Sequence, residues 1–219
     1  MPISAMKGMI EMIKKITAAI LSLAFGACTV SAMSMTDKQK EELYSYNIMT
    51  GDENGDLRPS DHITRAEAAR MICAAGNLKK ADNSIGFADV PNGHWAHDYI
   101  CAVKDAGIAV GDENGNFNPE SDITNEEIVK MLVCLLGYDT MAEYMSGYPA
   151  GYNAVASHLG ITSSLELVPG TPAIRSDVGI MICNSLDVPF AEQKSDTEGT
   201  IADGKNGSTQ KNLRQNLQK

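Results

Sequence analysis

Aromatic residues and closely spaced cysteines are both scarce in this sequence. Aromatic side chains make up 5% of the 219 residues, with a single tryptophan, so a core must be built from aliphatic residues and from the twelve methionines, which fill irregular gaps. No pair of cysteines has the short spacing of a zinc site or a redox motif. The four cysteines beyond residue 32 lie among apolar residues, which favours buried thiols. An exported location would also permit disulfides, whose connectivity the sequence does not reveal.

A continuous apolar stretch of about 20 residues, the length that crosses a bilayer as a helix, is missing as well. Residues 16–27 are largely apolar, follow Lys14-Lys15, and precede the small residues of Val30-Ser31-Ala32. This order is typical of an export signal. We therefore predict that residues 1–32 form a signal peptide and that no transmembrane segment remains after its cleavage. Lipidation at Cys28 stays open as an alternative.

Basic residues are outnumbered by acidic ones, 18 to 28, which gives a net charge of −10. Residues 1–32 hold three of the lysines and one glutamate, so cleavage would lower the net charge to −12. An acidic protein repels nucleic acid at long range, so we expect no nucleic-acid partner, and an anionic ligand would have to be held by local cations. The same charge also keeps a secreted protein soluble.

The sequence contains an internal repeat. Residues 51–55 and 111–115 both read Gly-Asp-Glu-Asn-Gly and lie 60 residues apart, and the same offset aligns Pro59 with Pro119. A unit of this size cannot bury a full core alone. The copies must therefore pack together, and grooves between them are the natural place for function.

Each unit has the pattern helix, loop, helix. The segments Thr64-Arg65-Ala66-Glu67 and Thr124-Asn125-Glu126-Glu127 are capping boxes, and apolar residues at helical spacing follow both. We predict an all-α fold in which repeat 1 covers residues 35–80, repeat 2 covers 86–138 and a degenerate repeat 3 covers 139–190. Ile174 replaces the capping threonine in repeat 3, so we expect that helix start to be satisfied differently or to be weaker.

The chain end, residues 191–219, is dominated by polar residues and glycine. Such a composition predicts a disordered linker or tail. Its last sixteen residues carry four cations and no acid, which would allow contact with an anionic surface, but a solvated end is the simpler interpretation.

Several motifs together resemble the S-layer homology domain. They are Phe87-Ala88-Asp89-Val90, His94-Trp95-Ala96, Gly107-Ile108, the loop from Gly111 to Pro119, and Thr64-Arg65-Ala66-Glu67. Their order and spacing are specific, and the resemblance covers about Met35 to Pro189 as three tandem copies. It implies three copies around a pseudo-threefold axis, sharing a helical bundle with grooves between them. It also implies a noncatalytic, exported protein that binds noncovalently to a cell-wall polysaccharide, a secondary cell-wall polymer ending in a pyruvate ketal on an amino sugar, without a cofactor.

The resemblance also implies which residues contact the glycan. Carried over position by position, these are Arg65, Glu67, Trp95 and Asp112, with Asp52 equivalent to Asp112, and Arg175 opposite Arg65 in repeat 3. The first turn of a helix disfavours a cation, so local stability alone would not select Arg65, whereas a carboxylate ligand would. A sugar ring can lie against Trp95. The ordinary structural interpretation is that Arg65 pairs with a nearby acid and that Trp95 anchors the core.

Departures from the family pattern bear on how many grooves can bind. Asn125 stands where repeat 2 should have the arginine, and repeat 3 keeps Arg175 without the cap. Repeat 1 has Met35 opposite Trp95, so we expect its first helix to pack loosely. We also expect the guanidinium groups of Arg65 and Arg175 to face clefts rather than to be enclosed.

Calcium binding is one alternative, which would make the chain a calcium-dependent or partner-binding surface scaffold. The first residues of a calcium loop are present as Asp52, Asn54 and Asp56. Such a loop needs a glycine at its sixth position and a glutamate at its twelfth, where this chain has Leu57 and Ile63. We therefore predict no metal site, and a turn in which Gly55 and Gly115 adopt positive φ.

A wall-glycan hydrolase is the other alternative. The carboxylates of Asp52-Glu53 and Glu126-Glu127 lie in turns or at helix starts, where solvated caps are expected, and no nucleophile motif accompanies them. His94 and His97 could share a helix face and a metal, but a third ligand is not evident. We therefore predict that the chain is not an enzyme.

Overall fold

The computed structural model describes residues 34–191 and 211–218, so the predicted signal peptide and Cys28 lie outside the described residues. The described residues form eight α-helices and no strand beyond isolated bridges. The helices are α1 Asp37–Ser45, α2 Arg65–Gly76, α3 His97–Asp105, α4 Asn125–Leu135, α5 Asp139–Met145, α6 Ala150–His158, α7 Arg175–Ser185 and α8 Leu213–Leu217. The predicted all-α class is confirmed. Within this part of the chain, none of the helices combines the length and the apolar character that a membrane crossing requires.

The inner helices α2, α4 and α7 begin at the same position of the repeat. Thr64 and Thr124 cap α2 and α4, and in each case the glutamate three residues on closes a capping box, as predicted. Ile174 makes no side-chain cap for α7.

The segments that precede the inner helices are joined in a closed cycle of backbone hydrogen bonds. Ile63 N donates to Ala173 O at 3.1 Å, Ala173 N donates to Ile123 O at 2.8 Å, and Ile123 N donates to Ile63 O at 3.0 Å. All three residues are buried. Because buried peptide groups require partners, this cycle fixes the three helix starts next to one another.

The uncapped start of α7 is satisfied by the backbone of the first repeat. Arg175 N donates to Asp61 O and Ser176 N donates to Pro59 O, both at 2.9 Å. The expectation that this helix start is satisfied differently is therefore confirmed. The same kind of bond supplements the threonine caps of α2 and α4.

The helix that precedes the inner helix within each repeat, which we call its outer helix, is α1, α3 or α6. Each outer helix packs on the inner helix of the preceding repeat in the cycle: α3 on α2, α6 on α4, and α1 on α7. The last of these contacts brings the first described helix against the last inner one. Met35 and Leu43 are buried there, and a Cβ added to Gly179 of α7 would lie 2.6 Å from Met35 Sδ. The expectation that the first helix packs loosely is wrong, because Met35 fills the space that the absence of a side chain at Gly179 leaves.

The end of the chain also differs from the prediction. Residues 211–218 are ordered: Leu213 is fully buried, and Arg214 pairs with Glu42 and with Asp187, where Nε lies 2.6 Å from Oδ1. The prediction of a disordered tail over residues 191–219 is therefore wrong for this part. Leu213 and Arg214 hold the segment against the fold. A prediction from the overall polar composition of residues 191–219 does not detect two such individual contacts.

The cysteines of the described residues are unbridged thiols. Cys73, Cys101 and Cys183 are buried and Cys134 is partly buried. Burial raises the pKa of Cys134 to about 11 and that of Cys183 to about 12, so both remain neutral thiols at physiological pH. They act as small apolar side chains.

Candidate ligand-binding clefts

A cleft of about 390 Å³ opens where the start of α2 meets the second repeat. We call it the Arg65 cleft. Its charged and aromatic lining consists of Arg65, Asp112, Asp122, Glu127, Lys130 and Tyr148. It thus combines two cations, three carboxylates and one phenol ring.

Arg65 forms an ion pair between repeats and also lines this cleft. Its Nη1 lies 2.6 Å from Glu127 Oε1, its Nε donates to Phe117 O at 2.8 Å, and its guanidinium carbon lies 4.9 Å from the Phe117 ring centroid. The interpretation that Arg65 pairs with a nearby acid is confirmed. The hydrogen bonds of the described residues use Nε and Nη1, which leaves Nη2 for a ligand.

Arg175 makes the equivalent contacts with the first repeat. Its Nη1 lies 3.1 Å from Glu67 Oε1 and its Nε donates to Leu57 O at 2.9 Å. Only 8% of the side chain is exposed, and this burial lowers the pKa of the guanidinium. The expectation that this guanidinium faces an open cleft is therefore wrong, because the residues packed around the side chain leave little of it exposed.

The glutamates of the capping boxes have two roles. Glu67 accepts from Thr64 N in its own repeat and pairs with Arg175. Glu127 accepts from Thr124 N and pairs with Arg65. Each glutamate therefore couples the start of its own helix to the repeat that precedes it in the cycle.

At the third boundary between repeats, where repeat 2 meets repeat 3, the described residues form no arginine–glutamate ion pair. Asn125 occupies the arginine position and Asp177 the glutamate position. Burial raises the pKa of Asp177, which is what an acid without a neighbouring cation experiences. Because repeat 2 has Asn125 in place of the arginine, two of the three boundaries carry an arginine–glutamate pair and the third carries none.

Asp112 lines the Arg65 cleft from the repeated loop. Its Oδ1 accepts from Asn114 N and Asn116 N, both at 2.9 Å, and its Oδ2 accepts from Asn118 Nδ2 at 3.0 Å. The amide of Asn116 and the side chain of Asn118 hold the pKa of this carboxyl below its usual range. Asp112 therefore remains a charged acceptor whose orientation is set by its own loop.

Asp52 makes the same turn in the first repeat, where its Oδ1 accepts from Asn54 N at 2.8 Å and Asp56 N at 3.1 Å. It lies outside the Arg65 cleft. Gly55 and Gly115 follow with φ of 78° and 76°, which confirms the predicted glycine-rich turn.

Trp95 is 55% exposed and stacks on His94, with ring centroids 5.8 Å apart. The interpretation of Trp95 as a core anchor is therefore wrong. Trp95 does not line the Arg65 cleft, but Tyr148, its counterpart at an offset of 53, does. Lys130 Nζ lies 5.3 Å from the Tyr148 ring centroid. The motifs of the sequence did not single out Tyr148 or Lys130 as cleft residues, although Tyr148 aligns with Trp95 at that offset.

The two histidines considered for metal binding have separate partners. His94 Nε2 lies 3.0 Å from Glu120 Oε1, whereas His97 lies against Asp98 and 3.6 Å from Cys101 Sγ. Across residues 34–191 and 211–218, no group of three or more His, Cys, Asp or Glu side chains is placed to hold a metal ion.

Residues 41–69 and 86–128 match the model of the S-layer homology domain. Over these two segments the chain carries the S-layer homology domain. The matched segments contain Asp52, Arg65 and Glu67 in the first and Trp95 and Asp112 in the second. Residues 139–190 lie outside the match, so their status as a third copy stays a prediction.

Curated relatives carry names from the bacterial cell surface. The chain is 29% identical over 174 residues to the middle cell wall protein of Brevibacillus brevis, covering 76% of this chain and 16% of the relative. It is 34% identical over 123 residues to an uncharacterized cell wall amidase of Bacillus anthracis, covering 55% and 22%. It is 28% identical over 170 residues to a surface-layer 125 kDa protein of Lysinibacillus sphaericus, covering 71% and 14%. The chain thus spans less than a quarter of the length of each of these relatives.

Proposed function

We propose that this chain anchors an exported protein noncovalently to the bacterial cell wall, by binding the pyruvylated end of a secondary cell-wall polymer in the Arg65 cleft. The S-layer homology domain and the names of the relatives support a cell-wall or cell-surface location. Export would depend on the predicted signal peptide in residues 1–32.

The observation that carries this function is the convergence of cations, a ring and an acceptor around one cavity. A ketal carboxylate would lie between Arg65 Nη2 and Lys130, where charge-assisted hydrogen bonds are strongest. The sugar ring would lie against Tyr148, and Asp112 would accept from its hydroxyl groups. Arg65 Nη2 and Lys130 would supply the local positive charge that an anionic glycan needs in a chain of net negative charge.

The pseudo-threefold arrangement suggests a second contact region around Arg175, with Trp95 and Asp52 as the counterparts of Tyr148 and Asp112. The guanidinium is enclosed there, so we propose that binding in this region depends on the exposed face of Trp95 and on the carboxylate of Asp52.

The proposed role is binding without catalysis. Glu67 and Glu127 are committed to helix caps and ion pairs, and Asp52 and Asp112 to turns. These roles explain the carboxylates without an acid–base pair. If the chain nevertheless cleaved glycan, incubation with isolated walls would release soluble sugars, whereas a binding module would be retained without release.

The test is cosedimentation of the chain with isolated walls, before and after chemical removal of the pyruvylated polymer. We expect the chain to pellet only with untreated walls, and Lys130→Ala and Arg65→Lys to reduce pelleting, the latter because lysine keeps the charge but loses the second N–H group. Lys79→Ala, at an exposed lysine outside the cleft lining, is the matched control. Equal pelleting of all variants, or pelleting that survives removal of the polymer, would contradict this function.

A further inference from the structure

We propose that a second cleft, around Asn125, binds an amino sugar whose amine is protonated and not acetylated. This Asn125 cleft has a volume of about 250 Å³. Its lining includes Asn125, Glu126, Asn153, Thr162, Leu165 and Leu167. Both its position and the charge of its ligand distinguish it from the Arg65 cleft.

The first observation is an acceptor without a donor on Asn125, a residue that is only 6% exposed. Its Nδ2 donates to Val168 O at 3.1 Å and to Thr171 Oγ1 at 3.0 Å, which uses both amide hydrogens and fixes the orientation of the side chain. The opposite atom, Oδ1, is buried and accepts from no described group. An orphaned acceptor in a buried position costs free energy, which a donating ligand would recover.

The second observation is the neighbouring carboxylate. Glu126 Oε1 accepts from Gly170 N at 2.7 Å, but Oε2 is buried and has no partner among the described residues. The cleft lining contains no lysine, arginine or histidine. An ammonium group carries three donors and a positive charge, so it can serve both Oε2 and Asn125 Oδ1.

The lining offers no cationic side chain to an anion, although the cleft lies at the start of α4. The amides of Asn125 and Glu127, which would otherwise attract one, already donate to Thr171 O and to Thr124 Oγ1. The net charge of the lining is negative because of Glu126. Unlike the Arg65 cleft, this lining has no cation to bind the carboxylate of a sugar, and an N-acetyl sugar lacks the charge that Glu126 requires.

The remaining lining fits a sugar better than a simple amine. Leu165 and Leu167 offer an apolar surface for the face of a ring, while Asn153 and Thr162 offer hydrogen bonds to hydroxyl groups. The volume lies just below the range usual for small-molecule sites, so it suits one sugar unit rather than a chain of them.

The experiment is an NMR titration of the chain with glucosamine, at a pH where its amine is protonated, following the side-chain amide of Asn125 and the backbone amide of Gly170. We expect saturable shifts at these two groups, with N-acetylglucosamine, glucose and lysine binding at least tenfold more weakly. Equal binding of glucose would show that the amine is not recognised. Equal binding of lysine would show that the sugar is not recognised, and absence of shifts at both groups would show that the cleft does not bind glucosamine. Any of these results overturns the inference.

Variants separate recognition from folding. Glu126→Gln keeps an acceptor for Gly170 N but removes the charge, so we expect at least a tenfold loss of glucosamine affinity at an unchanged melting temperature. Glu113→Gln, in an exposed turn, is the matched control and should bind as the unaltered chain does. Unchanged affinity of Glu126→Gln would refute the role of the carboxylate. Wall cosedimentation of the same variants reports on the Arg65 cleft independently, so either site can fail without the other.

Discussion

The Arg65 cleft and the Asn125 cleft arise from the same local construction and reach opposite chemistry. Both are built at helix starts with a threonine cap, a glutamate three residues on and a backbone bond to the neighbouring segment. The difference lies in the first helical residue. Arg65 is long enough to reach Glu127 and still present a nitrogen to the cleft, whereas Asn125 reaches only Val168 and Thr171 and leaves an oxygen unpaired. If both proposals hold, one side chain decides whether a cleft binds an anion or a cation.

Arg175 shows that the same residue type can give a third outcome. Its pair with Glu67 resembles that of Arg65 with Glu127, but its side chain is half as exposed, 8% against 16%. The position of each arginine in its repeat thus determines its glutamate partner. The packing around the side chain determines whether its guanidinium remains accessible to a ligand.

The largest expected effect separates the two ion pairs. Glu67→Ala removes a helix cap and leaves buried Arg175 without its partner, so we expect a loss of about 3 kcal/mol or more in the free energy of unfolding. Glu127→Ala should cost about 2 kcal/mol, because Arg65 is better hydrated. Chemical denaturation measures both, with Glu113→Ala as an exposed control. A larger loss for Glu127→Ala than for Glu67→Ala would show that burial does not distinguish the pairs.

The next comparison concerns two exposed aromatic residues at equivalent positions. Tyr148→Ala should weaken retention on walls about tenfold, or ~1.4 kcal/mol, because its ring lines the cleft in which Arg65 Nη2 is available. Trp95→Ala should weaken retention less, since Arg175, the arginine of its proposed contact region, is enclosed. Binding isotherms on isolated walls give both values. If the tryptophan variant is the weaker binder, the main contact region lies around Arg175 instead.

The third comparison concerns the threonine caps of α2 and α4, the helices at whose starts the two clefts lie. Thr64→Ala and Thr124→Ala each remove a side-chain acceptor for the third amide of a helix, so each should cost about 1 kcal/mol of unfolding free energy. Both threonines accept from the third amide in the same way, but Thr124 Oγ1 also donates to Glu127 Oε2, so the loss should be slightly larger for Thr124→Ala. Markedly unequal losses in urea titrations would mean that the two helix starts are not equivalent.

The smallest effect concerns the acid that lacks an arginine. Since the pKa of Asp177 is raised in the folded state, its contribution to stability is present at low pH and is lost as pH rises through that folded-state pKa. Asp177→Asn should therefore stabilise the chain at neutral pH, by less than about 1 kcal/mol, and should have no effect at a pH below the usual carboxyl range. Denaturation at the two pH values measures the difference. A variant that is less stable at neutral pH would contradict this sign.

Local features of the fold were predictable because they depend on neighbouring residues. The capping boxes at Thr64 and Thr124 and the positive φ of Gly55 and Gly115 involve contacts within four residues, and each is confirmed. The candidate cleft residues Arg65 and Asp112 were also found from their motifs, and both line one cavity.

Contacts between distant parts of the chain were not predictable in the same way. Arg65 and Glu127 are 62 residues apart, and Arg175 and Glu67 are 108 apart. The burial of Met35 depends on Gly179 of α7, and the order of α8 depends on Glu42 and Asp187. No local pattern records these partners.

The amino-acid sequence by itself determined the helical units, their caps, their turns and their repetition, since these follow from side chains that act on their own backbone. Only the tertiary structure decided which arginine is enclosed, which tyrosine lines the cleft and which amide oxygen is left without a donor. The physical reason is that burial and pairing are properties of neighbours in space, and closing the cycle of three segments brings together residues that the chain keeps far apart.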